Sequence, residues 1–188
     1  YTDAMQVYVD AHMKSFVYSL ESQQKLSKDF FNPSILSSTF MVSAVNEIYK
    51  HQALEQKTDI DVVEFKFASN NPTNMNNKAD ELESKILKKL AGGTDLFYED
   101  RIERNDKDML VLASPSRKNT QNCLVCHGAP SDAPKDMIEL YGDKNGFGEK
   151  VGDIRAISVI YVVVDASGEK MRFFITIEML MLAVFIGI

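Results

Sequence analysis

Residues 154–164 read Ile154-Arg155-Ala156-Ile157-Ser158-Val159-Ile160-Tyr161-Val162-Val163-Val164, a run dominated by β-branched side chains. Side chains branched at Cβ pack well on a pleated surface and lose rotamer freedom in a helix, so this stretch is expected to be a strand. Working outward, Met109-Leu110-Val111-Leu112-Ala113 is a second apolar run of strand length. Residues 60–68, Ile-Asp-Val-Val-Glu-Phe-Lys-Phe-Ala, alternate from Val63 onward, as a half-buried strand does.

Helices are expected around these strands. Residues 4–26 carry Met5, Val9, Met13, Phe16, Val17 and Leu20 at the 3–4 spacing of one long amphipathic helix. Asn32-Pro33 breaks that pattern, and a second helix starts at Pro33-Ser34 with Ile35, Leu36, Phe40, Met41, Ala44, Val45 and Ile48 on its apolar side. Asn70, Asn71, Pro72 and Asn74 make a turn-rich loop, and residues 80–90 read as a helix ended by Gly92-Gly93. A long loop region, 114–152, separates the last two strands. Helices first, then strands interrupted by a helix and loops, is an α+β order with an antiparallel sheet.

Over 188 residues, 45% hydrophobic and 26% charged positions suffice for one domain with a core and do not match a disordered chain. A net charge of −6 without any Lys/Arg block argues against nucleic acid, whose binding needs clustered cations. Residues 173–188, Phe-Phe-Ile-Thr-Ile-Glu-Met-Leu-Met-Leu-Ala-Val-Phe-Ile-Gly-Ile, follow Lys170 and Arg172 and hold a single charge, Glu178. A bilayer span takes about 20 apolar residues, so this run is expected to be a membrane-anchoring helix cut short, the alternative being a helix buried against a partner. The expected organisation is an N-terminal helix over 1–28, a central domain over 29–168 and an apolar helix over 169–188.

The only two cysteines lie in Cys123-Leu124-Val125-Cys126-His127. Two thiols three positions apart span one edge of a porphyrin and bond its vinyl groups, while the histidine that follows places an imidazole under the iron. The motif points to one covalent haem c, bound through Cys123 and Cys126, with His127 as the proximal ligand. A zinc site would need two further ligands, and His12 and His51 lie far upstream on separate expected helices. A redox dithiol would sit at a helix start in a βαβ setting, which Asn122 and Gly128-Ala129-Pro130 do not suggest. A disulfide across two residues closes almost no loop and stabilises little. Bacterial haem c is matured outside the cytoplasm, which sets an extracytoplasmic expectation, periplasmic or on the outer membrane face.

The sixth iron ligand decides between electron transfer and small-molecule binding. Candidates are His12, His51 and Met41, the last beside Phe40 on the apolar side of the second helix. Each has an ordinary alternative: a core methionine for Met41, a surface or capping histidine for the others. Arg117, Lys118 and Arg155 are candidate cationic partners for haem propionates, the alternative being solvated surface charge.

Several stretches around the motif resemble a known family. They are Phe31-Asn32-Pro33-Ser34-Ile35-Leu36-Ser37-Ser38-Thr39-Phe40, Asn71-Pro72-Thr73-Asn74 with Lys78-Ala79-Asp80, and Cys123 to Gly128. Further on come Ala133-Pro134-Lys135-Asp136-Met137-Ile138-Glu139-Leu140-Tyr141-Gly142 and Asn145-Gly146-Phe147-Gly148. In that order they resemble the c-type haem domains with a PAS-like fold, which serve as extracytoplasmic input domains of bacterial chemoreceptors and sensor kinases and as stand-alone haem proteins. The resemblance implies haem in a PAS-like pocket and an N-terminal helix leading from a first transmembrane segment. It also implies a second transmembrane helix at 173–188. A homo-oligomer through the N-terminal helix is expected as well. Where many relatives have a sulfur ligand near the start of the second helix, this chain has Leu36, so the distal ligand does not carry over.

Two function classes follow. One is a redox or gas-sensing input module of a membrane receptor, with a diatomic gas or a redox partner acting at the iron. The other is an electron-transfer cytochrome, free or in a membrane complex. An enzyme is not expected: no paired carboxylates, activated nucleophile or phosphate-cradling loop stands out, and the glycines of 142–152 lack a strand-then-helix setting.

Overall fold

The computed structural model describes residues 2–55 and 63–164. Four strands, β1 (Val63–Ala68), β2 (Tyr98–Arg104), β3 (Lys107–Pro115) and β4 (Ile157–Val163), form one antiparallel sheet in the order β1-β4-β3-β2. The β-branched run is therefore a central strand, paired with β1 from Val63↔Val162 to Ala68↔Ile157 and with β3 from Met109↔Val163 to Pro115↔Ile157. The fold class is α+β, as the element order implied.

β2 is the element that periodicity did not announce. Its sequence, Tyr-Glu-Asp-Arg-Ile-Glu-Arg, is mostly polar and holds one aliphatic residue, Ile102. Pairing with β3 makes it a strand through a two-residue turn, in which Asn105 and Asp106 have φ of 54° and 58°. Positive φ at both positions matches the twist of the flanking strands, and Asn and Asp tolerate it better than other side chains.

The N-terminal helix is a rod of three parts, α1 (Thr2–Tyr8), a π-helical turn (Val9–Lys14) and α2 (Ser15–Ser22), and it ends short of the expected residue 26. Asn32 then caps α3 (Pro33–Leu36) by accepting the Ser34 N–H at 2.9 Å. The expected second helix is split at Ser37, whose extended backbone ends α3 and whose hydroxyl accepts the Phe40 N–H at the start of α4 (Ser38–Glu55). α1 packs on α4, the π turn on α3, and α4 reaches β1.

α5 (Glu81–Gly92) opens with a capping box between Asp80 and Glu83. It buries Ile86, Leu87 and Leu90 against Ala68, Met109, Val111, Ala113, Ile157, Val159 and Tyr161. The strand register puts these sheet residues on one face. The 114–152 loop region contains α6 (Leu124–His127) and α7 (Lys135–Tyr141). α7 is tied back to the chain before α3 by Phe31 N–H to the Asp136 carboxylate and by Lys135 to Asp29. Residues 60–62 and 173–188, expected as strand and membrane helix, lie outside the described residues. Among the described residues no helix is long and apolar enough to cross a membrane.

Candidate functional site

Cys123 closes a 3-10 turn (Gln121–Cys123) and leads directly into α6 in helical conformation. Residues i, i+3 and i+4 of a helix share a face, so Cys123, Cys126 and His127 come together. Both cysteines are free and partly buried, and the Thr120 N–H reaches Cys123 Sγ at 3.3 Å. α6 stops at Gly128, where a Cβ would meet the Leu124 carbonyl oxygen at 2.5 Å. Only glycine lets the chain leave the helix this tightly.

Two partners fix the His127 ring. Nδ1 lies 2.9 Å from the Gly146 carbonyl, and Nε2 lies 2.8 Å from Arg155 Nη1. A carbonyl only accepts and a guanidinium only donates, so the proton sits on Nδ1 and Nε2 presents its lone pair. Burial and then the Arg155 charge push the His127 pKa down to about 3, with Lys14 adding to this and the Gly146 bond opposing it. Burial raises the Cys126 thiol pKa, against the pull of Lys14 and Arg155.

The Gly146 carbonyl is itself held in place. The Gly146 N–H donates to Asn71 Oδ1 at 2.9 Å, and Asn71 Nδ2 donates to the Phe147 carbonyl at 2.9 Å. Gly146 has φ of 84°, and a Cβ there would run into Thr73, whose hydroxyl is buried without a partner among the described residues. The loop returns along α6 through Gly148 N–H to the Gly128 carbonyl at 2.8 Å and Glu149 N–H to the His127 carbonyl at 3.1 Å. Glu149 then receives Arg155 Nε at 2.9 Å and Nδ2 of buried Asn119 at 2.7 Å.

The N-terminal rod borders this site. Tyr18 on α2 has its pKa pushed up to about 12 by burial first, then by Cys126 and other nearby groups including Cys123. Lys14, paired with Asp10 at 2.7 Å, is felt at both Cys126 and His127.

The other sequence candidates stand apart. Met41 is half-buried on α4, and its N–H bonds the Ser37 carbonyl. His12 is exposed, with its ring tilted against that of Tyr8 at 4.9 Å between centroids, and His51 is exposed near the end of α4. Among the described residues no hydrogen bond joins these three to the motif. Of the three candidate cations, Arg117 and Lys118 are exposed, and Arg155 is the one brought to His127. Asn71, Gly146, Glu149 and Asn119 were not singled out as site residues. Yet Asn71-Pro72-Thr73-Asn74 and Asn145-Gly146-Phe147-Gly148 carried the family resemblance, and in space they form one clamp.

Among the described residues no group of three or more His, Cys, Asp or Glu side chains gathers as a metal-ion cage. Two free thiols and an imidazole whose Nε2 carries a lone pair, on one helical face, are the residue types that a haem c takes, and these residues fit that group. A fixed Nδ1–H to a backbone carbonyl is also the usual orienting contact of an imidazole that ligates a metal.

A family model described as Tll0287-like matches residues 2–163. Among solved structures, the chain is similar to that of the cyanobacterial heme-protein Tll0287, with a TM-score of 0.51 and 16% identity. The match covers 85% of this chain and 92% of that one, and at this identity it speaks for the fold. None of the curated proteins matches.

Proposed function

The chain belongs to the Tll0287-like family, and from that premise we propose that it carries one haem c, attached through Cys123 and Cys126, with His127 as proximal iron ligand. The observation that carries this reading is the fixed tautomer of His127, on the same helical face as both thiols. The similarity to a cyanobacterial heme-protein supports it. Cys123 and Cys126 would hold the group through thioether bonds to its two vinyl side chains, and His127 would supply its imidazole to the iron. When bound, the haem supplies an iron that changes oxidation state or takes a small diatomic ligand.

The chain's own residues hold and orient. Gly146 and Asn71 fix the imidazole, and the half-buried sheet face away from α5 is the proposed PAS-like seat for the ring. Met41 is the candidate distal ligand, with Leu36 unable to serve. The proposed role is an extracytoplasmic redox or gas-sensing input module of a membrane receptor, without catalytic turnover. Residues 173–188 would anchor it, and a second copy would pair along the N-terminal rod. Support for signalling comes from Lys14 and Tyr18 on the rod: Lys14 lowers and burial raises the Cys126 thiol pKa, and Cys126 contributes to raising that of Tyr18, so the rod lies within electrostatic reach of the motif.

The reading is tested on protein matured outside the cytoplasm. Haem should stay with the chain on a denaturing gel and vanish when both cysteines become serine. A chain that releases its haem on denaturation contradicts covalent attachment. If the reduced spectrum is unmoved by CO and NO, the electron carrier replaces the gas sensor.

A further inference from the structure

The lone pair of His127 Nε2, which the haem reading assigns to iron, is held by Arg155 Nη1 at 2.8 Å. One lone pair cannot serve both. Resting on that reading, we propose that Arg155 is a displaceable positioning residue, which occupies the Nε2 lone pair of His127, in the tautomer that the Gly146 carbonyl already fixes, until haem is attached and then yields Nε2 to the iron.

Several contacts support this role. Arginine has donors and no acceptor and stays charged, so its partner nitrogen has to be the acceptor. The guanidinium is tethered away from His127 as well: Nε bonds Glu149 Oε1 at 2.9 Å, and Glu149 Oε2 takes Asn119 Nδ2 at 2.7 Å. Asn119 is 4% exposed, and its backbone bonds Asp153 and Gly152, so the tether is anchored. The Arg155 carbonyl is fixed too, by Ser69 Oγ at 2.6 Å. Nη1 can therefore leave His127 while Nε stays with Glu149. Glu149 also donates its N–H to the His127 carbonyl, which keeps the two sides of the device in register.

This role differs in sign from that of a propionate partner. Losing a propionate partner loosens haem, whereas losing a competitor for Nε2 tightens it. The test uses the full chain with Cys123→Ser and Cys126→Ser, so that added hemin binds reversibly and its Soret band reports affinity. Adding Arg155→Ala should tighten hemin about tenfold or more, the effect of no longer breaking a charge-assisted hydrogen bond. Arg155→Lys, too short to hold Glu149 and His127 together, should fall between. In the hemin-free chain, nitrogen-15 spectra should show the His127 Nε2 resonance moving in either variant while Nδ1 stays. Equal or weaker hemin binding by a folded variant, or an unmoved Nε2, overturns the proposal. Should Arg155→Ala fail to fold, the lysine variant decides by the same two readouts. If His127→Ala leaves hemin affinity unchanged, the haem reading fails and takes this role with it.

Discussion

The α5 face of the sheet and the face opposite it come from the same strands and much the same apolar residues, yet they are finished differently. On the α5 face Val111, Ile157, Val159 and Tyr161 are at 0% exposure. That face even buries a carboxylate: Glu83, also at 0%, is met by Lys66 Nζ at 2.7 Å, the Asp80 N–H at 2.8 Å and Tyr161 Oη at 3.1 Å. On the opposite face Phe65, Leu110, Leu112, Ile160 and Val162 stay half-buried, although they alternate with the core residues along the same strands. One face is a closed core whose buried carboxylate is paired. The other keeps apolar surface that the helices among the described residues do not fully cover, which is the condition for holding an apolar ring.

The comparison breaks most sharply at the motif. Replacing Cys123 and Cys126 by serine should abolish covalent haem altogether, read by intact mass, whereas Ile157→Ala should leave attachment in place. In urea unfolding, Ile157→Ala should cost about 2–5 kcal/mol, the range for truncating a fully buried side chain. Ile160→Ala on the other face should cost clearly less in the haem-free chain, and more once haem is attached. Equal costs for the two isoleucines would erase the distinction. Lys66→Ala strands the Glu83 carboxylate and should destabilise by about 3 kcal/mol or more without touching the haem spectrum.

Gly146→Ala acts at the junction between the site and the sheet. The left-handed backbone and the Thr73 contact should make it cost about 1–3 kcal/mol, and it should also release the His127 Nδ1 proton to faster solvent exchange. The smallest effect is on pH dependence. Folded His127 has its pKa lowered to about 3 from the usual 6.5, so the unfolded chain binds a proton in that window and the folded one does not. Its contribution is complete above pH 6.5 and is lost as pH falls toward 3. Comparison of urea midpoints for wild type and His127→Gln across that window should show a shallower acid loss in the variant.

Much of this comparison was legible in residue order. β1, β3 and β4 follow from alternation and β branching, α5 from its caps and the N-terminal rod from its 3–4 spacing. β2 was hidden because an edge strand needs few apolar residues once a hairpin pins it, and the only local sign was Asn105-Asp106. The motif gave Cys123, Cys126 and His127 directly. It did not give Gly146, Asn71 or Glu149, because a backbone carbonyl 19 positions away and a side chain 75 positions from its partner leave no spacing to read. Arg155 was visible as a nearby cation, but its placement on Nε2 depends on where β4 begins.

Methyl NMR of the haem-bearing chain tests the central claim most directly, because a porphyrin shifts the methyl groups beneath it through its ring current. The methyls of Leu110, Leu112, Ile160 and Val162 should move strongly between haem-free and haem-bearing protein, while those of Val111, Ile157 and Val159 stay near their haem-free positions. Large shifts confined to the α5 face, or no difference between the two faces, would contradict the account.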